Sequence, residues 1–249
     1  MPAPTRHPRG TVAAAATALM AFALLAGVSP ARASCTHPRA ATPAYRRQAL
    51  QVAARLGAPA DYPRRRHWML QPQAQALAPA GRDVYGRPLR LAPAAASALK
   101  AMVAAAARDG VSLQVVSGFR SFATQRRLLR RKLDRGRPLA AVLAVNALPG
   151  FSEHHSGCAL DLTTPGVPAA DAAFAGTRAY AWLAAHAGHY GFALSYPAGN
   201  PHGIEFEPWH WRYRGVARPP RDEAPVARVA SAAVRTDPAS IALSTTEHP

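Results

Sequence analysis

Lysine, cysteine and acidic side chains are all scarce in this 249-residue chain. Only 13 acidic residues stand against 30 cationic ones, giving a net charge of +17. Such an imbalance attracts polyanions, which for an exported protein means anionic wall polymers, membrane headgroups or an acidic wall peptide. Yet 28 of the 30 cations are arginine, in a sequence also crowded with alanine and proline. That composition fits a coding bias as the source of the charge as well as it fits a binding role, so a solvated basic surface is the default. The aromatic and basic recognition motifs of nucleic-acid binders are missing, and no nucleic-acid partner is expected. No internal repeat is visible, which excludes a solenoid.

The two cysteines are Cys35 and Cys158. An exported chain can pair them, tying its N-terminal part to the segment around Cys158. The competing reading makes Cys158 a small buried filler and Cys35 a free tail residue, and sequence does not give the separation that decides between them.

Residues 1–33 read as a secretory signal. Arg6 and Arg9 precede an apolar run from Thr11 to Val28, and Ala31-Arg32-Ala33 supplies a small-residue cleavage site. Export to the periplasm or cell envelope follows; an uncleaved anchor is the competing reading, since ~18–20 apolar residues can span a bilayer. The residues before Cys35 lack the aliphatic side chain expected upstream of a lipid-modified cysteine.

Beyond the signal, 34–84 is a Pro- and Arg-rich lead expected to wrap the core, with a helix over Ala44–Leu56. Pro93 opens a helix whose Leu99, Met102, Val103 and Ala106 recur at helical spacing and which Gly110 closes. Val111, Leu113 and Val115 alternate as a half-buried strand, delivering Ser117 and Arg120 to the turn at its end. Ser121 caps a helix over about Phe122–Arg135, with Leu129 and Leu133 inward and Arg126, Arg127, Arg130 and Arg131 on a solvated face. Further helices are expected near Pro138–Leu148 and over Asp171–Tyr190. Phe192–Tyr196 and Ile204–Tyr213 read as paired strands, and 216–249 as a disordered tail. The order gives an α+β domain with a small antiparallel or mixed sheet and flanking helices.

Chemistry concentrates in FSEHHSGCALDL, residues 151–162, and EPWH, residues 207–210. Zinc accepts imidazole nitrogen and carboxylate oxygen, and a catalytic zinc keeps about three protein ligands with a place left for water. Asp161, His210 and one of the adjacent His154 and His155 form such a set; in an extended segment the two histidines face opposite sides. Glu207, three residues before His210, reaches a water beside the metal without ligating, as a general base does. Gly157 and Ala159 leave room for metal and substrate. A thiol ligand from Cys158 is disfavoured, because along a strand its side chain points away from Asp161.

These segments resemble the VanY-like zinc D-alanyl-D-alanine carboxypeptidases. Their SxHxxGxAxD is met by Ser152, His154, Gly157, Ala159 and Asp161, and their ExxH by Glu207 and His210. SGFRSFATQ at 117–125 is similar to the family's SGYRS segment followed by glutamine. The resemblance spans about residues 85–215, extends to YGFALSYP and GIEFEPWHWRYRG, and selects His154 over His155. It implies His154, Asp161 and His210 as ligands of Zn²⁺, Glu207 as base, and Arg120 as the cation beside the substrate. Ser117 and Gln125 would be polar residues supporting Arg120 at the substrate and Ser152 a further polar substrate contact, while Trp209 reads either as an apolar wall of the cleft or as packing beneath the site. Glu205 also stands near the metal motif but does not fit ExxH, which leaves it on the solvent side. Cys158 stands where an aliphatic residue is usual. His202 stands in a threonine's place and reads as a rim histidine without a task.

The implied substrate is a peptidoglycan stem peptide ending in D-Ala-D-Ala, and the implied action release of terminal D-alanine by a monomeric exported enzyme. A peptidoglycan endopeptidase with the same zinc site is the nearest rival. A non-catalytic cell-wall-binding module is the rival from another class, though no further motif supplies the fourth protein ligand that a closed structural zinc wants.

Overall fold

The computed structural model describes residues 40–215 together with Met1 and Cys35. The expected signal over 1–33 and tail over 216–249 lie outside the described residues, apart from Met1. No helix among the described residues is long and apolar enough to cross a membrane.

The fold is α+β. Helix α1, Pro43–Arg55, starts where the Thr42 hydroxyl accepts from the Tyr45 N–H and Pro43 presets the first turn. A short turn of helix, α2, Tyr62–Arg65, and the hairpin of β1, Ala78–Arg82, with β2, Pro88–Leu91, complete the lead. The main helix α3, Pro93–Arg108, buries Leu99, Met102 and Ala106 as their spacing predicts. Strand β3, Gln114–Ser117, is followed by α4, Phe122–Asp134, capped by Ser121 Oγ accepting from the Thr124 N–H as expected, and by α5, Leu139–Ala144. Strand β4, Ala159–Thr163, helix α6, Arg178–His186, and strands β5, Phe192–Leu194, and β6, His210–Tyr213, end the described chain.

The principal sheet is wholly antiparallel, in the order β3-β4-β6-β5. Its register sets Ser117, Asp161 and His210 in one row across three neighbouring strands. Two hydrophobic cores flank this row. One joins the sheet to α3 and α6 through Leu99, Met102, Leu160, Leu162, Phe174 and Leu183; the other joins α1, α4 and α5 through Val52, Leu129, Val142, Leu148 and Phe151. Each fully buried side chain of this kind contributes roughly 1.5–3 kcal/mol. The lead therefore does more than wrap: α1 supplies one wall of the second core.

Three expectations about elements need correction. The Asp171–Tyr190 helix is broken, with 3₁₀ turns at Ala172–Gly176 and Ala187–Tyr190 on either side of α6. Ile204–Trp209 is not a strand, and pairing begins only at His210. His154 lies not in a strand but in a 3₁₀ turn, Glu153–Ser156, which Gly157 ends at φ +70°. A Cβ on Gly157 would meet the Ala92 backbone nitrogen and a Leu77 methyl, each at 2.9 Å. Gly157 is thus there for its left-handed conformation and tight packing, not to clear space for metal or substrate.

Cys35 and Cys158 are bridged, with Cα atoms 5.7 Å apart. The link closes a loop across a sequence separation of 123 and fastens the chain before α1 to the residue preceding β4. Cross-links of this kind contribute about 2–4 kcal/mol. The bridge also removes Cys158 from consideration as a metal ligand.

Candidate metal centre and active site

Three antiparallel strands and one 3₁₀ turn bring the polar residues together. His154, Asp161 and His210 are all buried, and each presents a ligand atom within 4.8 Å of the others. His154 Nε2 lies 3.3 Å from Asp161 Oδ2, and His210 Nδ1 lies 3.0 Å from Asp161 Oδ1.

The second nitrogen of each imidazole is already committed. His154 Nδ1 donates to the Gly118 carbonyl at 2.7 Å, which fixes the tautomer and leaves the Nε2 lone pair facing Asp161. His210 Nε2 faces Glu153 Oε2 at 3.1 Å, which turns Nδ1 towards Asp161. His155 is excluded as a ligand by the same bookkeeping of lone pairs. Its Nδ1 donates to the Arg120 carbonyl at 2.6 Å and its Nε2 accepts from the Gly150 N–H at 3.0 Å. Burial holds its pKa down at about 4.

Glu153 is the functional residue that the sequence reading missed. It is buried, bonded to Arg212 Nη1 at 2.7 Å and to Ser195 Oγ at 2.6 Å as well as to His210. Burial alone would raise its pKa, but the His210 hydrogen bond and the Arg212 charge outweigh that and hold the carboxyl well below the usual range. Such a carboxylate orients an imidazole for a metal and raises its basicity. One signal was available: in HWRY, Arg212 stands two residues after His210 and so shares its face of the strand. Ala159, opposite Arg212 across the ladder, leaves that face to the guanidinium rather than to metal or substrate.

Electrostatics at the centre follow from two acids flanking one imidazole. Burial would lower the His210 pKa, but hydrogen bonds to Asp161 and Glu153 push it up to about 10. Asp161 is likewise desolvated, yet the charge and hydrogen bonds of the two imidazoles hold it well below the carboxylate range. Glu207 is different. It is buried, its Oε2 is 3.8 Å from His210 Nδ1, and desolvation pushes its pKa up to about 7 despite the opposing fields of His210 and Arg120. Glu205 is exposed, as expected.

Arg120 leaves the end of β3 and reaches within 3.6 Å of Asp161. Ser117 Oγ accepts from its Nη2 at 3.0 Å, and Gln125 Oε1 from its Nη1 at 2.9 Å. Gln125, itself 1% exposed, donates back to the Ala147 carbonyl at 2.8 Å. Ser117 and Gln125 therefore hold the guanidinium in place. Ser152 and the half-buried Trp209 line the same cleft, whose volume is about 730 Å³. His202 does have a task. Its ring stacks on Trp68 at 4.7 Å and its Nδ1 lies 3.0 Å from the Arg66 carbonyl, pinning the loop before Glu207 to the lead.

The family model of the VanY D-alanyl-D-alanine carboxypeptidases matches residues 88–216, slightly more than half of the chain. The chain belongs to the VanY family. Its VanY region is 38% identical over 125 residues to YodJ of Bacillus subtilis (strain 168), covering 49% of this chain and 45% of that protein. It is 33% identical over 122 residues to a D-alanyl-D-alanine carboxypeptidase of Enterococcus faecalis (strain ATCC 700802 / V583), covering 45% of this chain and 44% of the relative. The chain thus spans less than half the length of these curated relatives. Among solved structures, that of the LdcB LD-carboxypeptidase superposes on the VanY fold with a TM-score of 0.53 at 30% identity, over 59% of this chain and 72% of that one.

Donor chemistry in this VanY site suits zinc. Two imidazole nitrogens and one carboxylate oxygen converge, the remaining imidazole nitrogens have partners, and Glu207 stands close by but outside the ligand group.

Proposed function

We propose that this protein is an exported zinc peptidase that hydrolyses the D-Ala-D-Ala terminus of peptidoglycan stem peptides and releases D-alanine. The observation that carries the reading is the convergence of His154, Asp161 and His210 beside an unligated Glu207 and a tethered Arg120 in one cleft. Family membership supports the reaction class and the substrate. Export is supported by the charge, apolar run and small residues of 1–33, and by a disulfide of the kind that persists in oxidising compartments.

In this mechanism His154, Asp161 and His210 would hold zinc, which when bound would supply the Lewis acidity that lowers the pKa of water and polarises a scissile carbonyl. Glu207 takes the proton of the attacking water and later delivers it to the departing amine. Burial, which pushes its carboxyl up to about 7 in the metal-free protein, offsets the pull of nearby cations and lets it hold a proton as well as take one. Arg120, fixed by Ser117 and Gln125, meets negative charge with a planar set of donors, either on the substrate's terminal carboxylate or on the oxyanion that forms during attack. Trp209 supplies an apolar surface on the cleft wall.

Similarity to the LdcB LD-carboxypeptidase favours one second reading, cleavage of the bond one residue deeper in the peptide. Mass spectrometry of the products separates the two. A zinc-loaded protein is expected to shorten a D-Ala-D-Ala-ended pentapeptide by one alanine and stop there. Conversion of a tetrapeptide to a tripeptide, with the pentapeptide untouched, would establish the deeper bond instead. Retention on wall material without any product would leave a binding module.

A further inference from the structure

The cleft does not end at the metal centre. It continues along α4 to a second cationic group made of Arg131 and Lys132, with Arg137 just beyond the helix and Asn146 facing them. Lys132 is half-buried, and its ammonium donates to Asn146 Oδ1 at 3.1 Å. The amide of Asn146 is itself oriented, since its Nδ2 donates to the Val142 carbonyl at 2.7 Å. An ammonium has three donors, and one is used here. Among the described residues no carboxylate forms an ion pair with Arg131, Lys132 or Arg137, whereas Arg130 on the outer side of α4 pairs with Asp134. The expected solvated arginine face therefore divides: Arg131 borders the cleft. Burial, then the charges of Arg137 and Arg120, hold the Lys132 pKa below the usual lysine value. The charge of Glu207 opposes that shift only in part, and with no carboxylate among the described residues paired to them the three cations are open to an incoming anion.

Helical geometry supplies the spacing. Gln125, Leu128, Arg131 and Lys132 recur at three- and four-residue intervals and all line the cleft, so one face of α4 presents both Gln125, which holds Arg120, and Lys132. Seven residues at 1.5 Å each separate them by about 10 Å. An extended peptide covers that distance in about three residues.

From this juxtaposition we infer that Lys132, with Arg131 and Arg137, forms a subsite for a second substrate carboxylate, carried by the third residue from the C-terminus when Arg120 holds the terminal carboxylate. The enzyme accordingly selects acidic peptides over neutral ones of the same length. The inference rests on the proposed peptidase activity and adds to it a preference that the metal centre does not determine.

The test uses two synthetic D-Ala-D-Ala-ended pentapeptides that differ at one position, the third residue from the C-terminus, which carries a side-chain carboxylate in one and the carboxamide in the other. With the zinc-loaded full chain, kcat/KM is expected to favour the carboxylate peptide about tenfold, the scale of one charge-assisted hydrogen bond. Lys132→Met should bring the two peptides to the same kcat/KM, and Lys132→Arg should keep the preference. Equal cleavage by the wild type, or an undiminished preference in Lys132→Met, overturns the subsite alone. Cleavage of neither peptide overturns the proposed activity and the subsite with it.

Discussion

Glu207→Gln is expected to bind zinc as the wild type does and to lose about 10²- to 10⁴-fold in kcat, the range for removal of a positioned general base. The amide keeps the volume and half the hydrogen-bonding capacity of the carboxylate but takes no proton. The same substitution should stabilise the metal-free protein. Burial raises the folded carboxyl to about 7 against an ordinary value of 4.5, so the folded state holds that proton more tightly than the unfolded chain does. Below the ordinary value the acid is protonated in both states and imposes no penalty. As pH rises towards 7 the penalty grows, reaching about 3 kcal/mol at most, and it persists above that. Metal-free Glu207→Gln should therefore melt several degrees above the wild type at pH 8 and level with it near pH 4. Calorimetry and steady-state kinetics on one variant check both halves. Activity within tenfold of wild type would remove Glu207 from its role as base, and an unchanged melting temperature at pH 8 would contradict the raised pKa of its carboxyl.

Chelation should abolish hydrolysis and added zinc should restore it. The loss is expected to be complete because without a metal the donors neutralise one another. Protonated His210 donates Nδ1–H to Asp161 and Nε2–H to Glu153, and Arg120 leans on Asp161. Zinc must displace the proton on His210 Nδ1, so uptake should release about one proton per ion and weaken as pH falls. Titration calorimetry in buffers of different ionisation enthalpy measures that release. Turnover surviving in metal-stripped protein would end the metallopeptidase reading.

What sequence disclosed of this architecture was whatever has a local period or cap. Pro93 with Leu99, Met102 and Ala106 defined α3, and Ser121 defined the start of α4. Tertiary closure decided the rest. The 3₁₀ turn at Glu153–Ser156 exists because the carbonyls of Gly118 and Arg120 and the N–H of Gly150 claim the two adjacent imidazoles, and those partners lie far away or around a bend. The resemblance selected His154 over His155, and the strand expected to set them on opposite faces is a 3₁₀ turn whose hydrogen bonds do so instead. Glu153 escaped notice because its partners, Ser195 and Arg212, are 42 and 59 residues distant. His202 has no task legible in sequence because Trp68, on which it stacks, lies 134 residues earlier in a lead expected to wrap the core but with no motif that says where it docks. Ile204–Trp209 has the apolar content of a strand but spends its backbone elsewhere: Glu205 N–H bonds to Ala144 and Glu207 N–H to Tyr196, which is how the base is brought to the metal.

The central claim is that one divalent ion is shared by three residues with a fourth acid held apart from it. Anomalous diffraction at the zinc edge from zinc-soaked crystals tests this directly. A single peak is expected at about 2.0–2.2 Å from His154 Nε2, an Asp161 oxygen and His210 Nδ1, with both Glu207 oxygens outside bonding distance. A peak elsewhere, or Glu207 bound as a fourth ligand, would contradict the account.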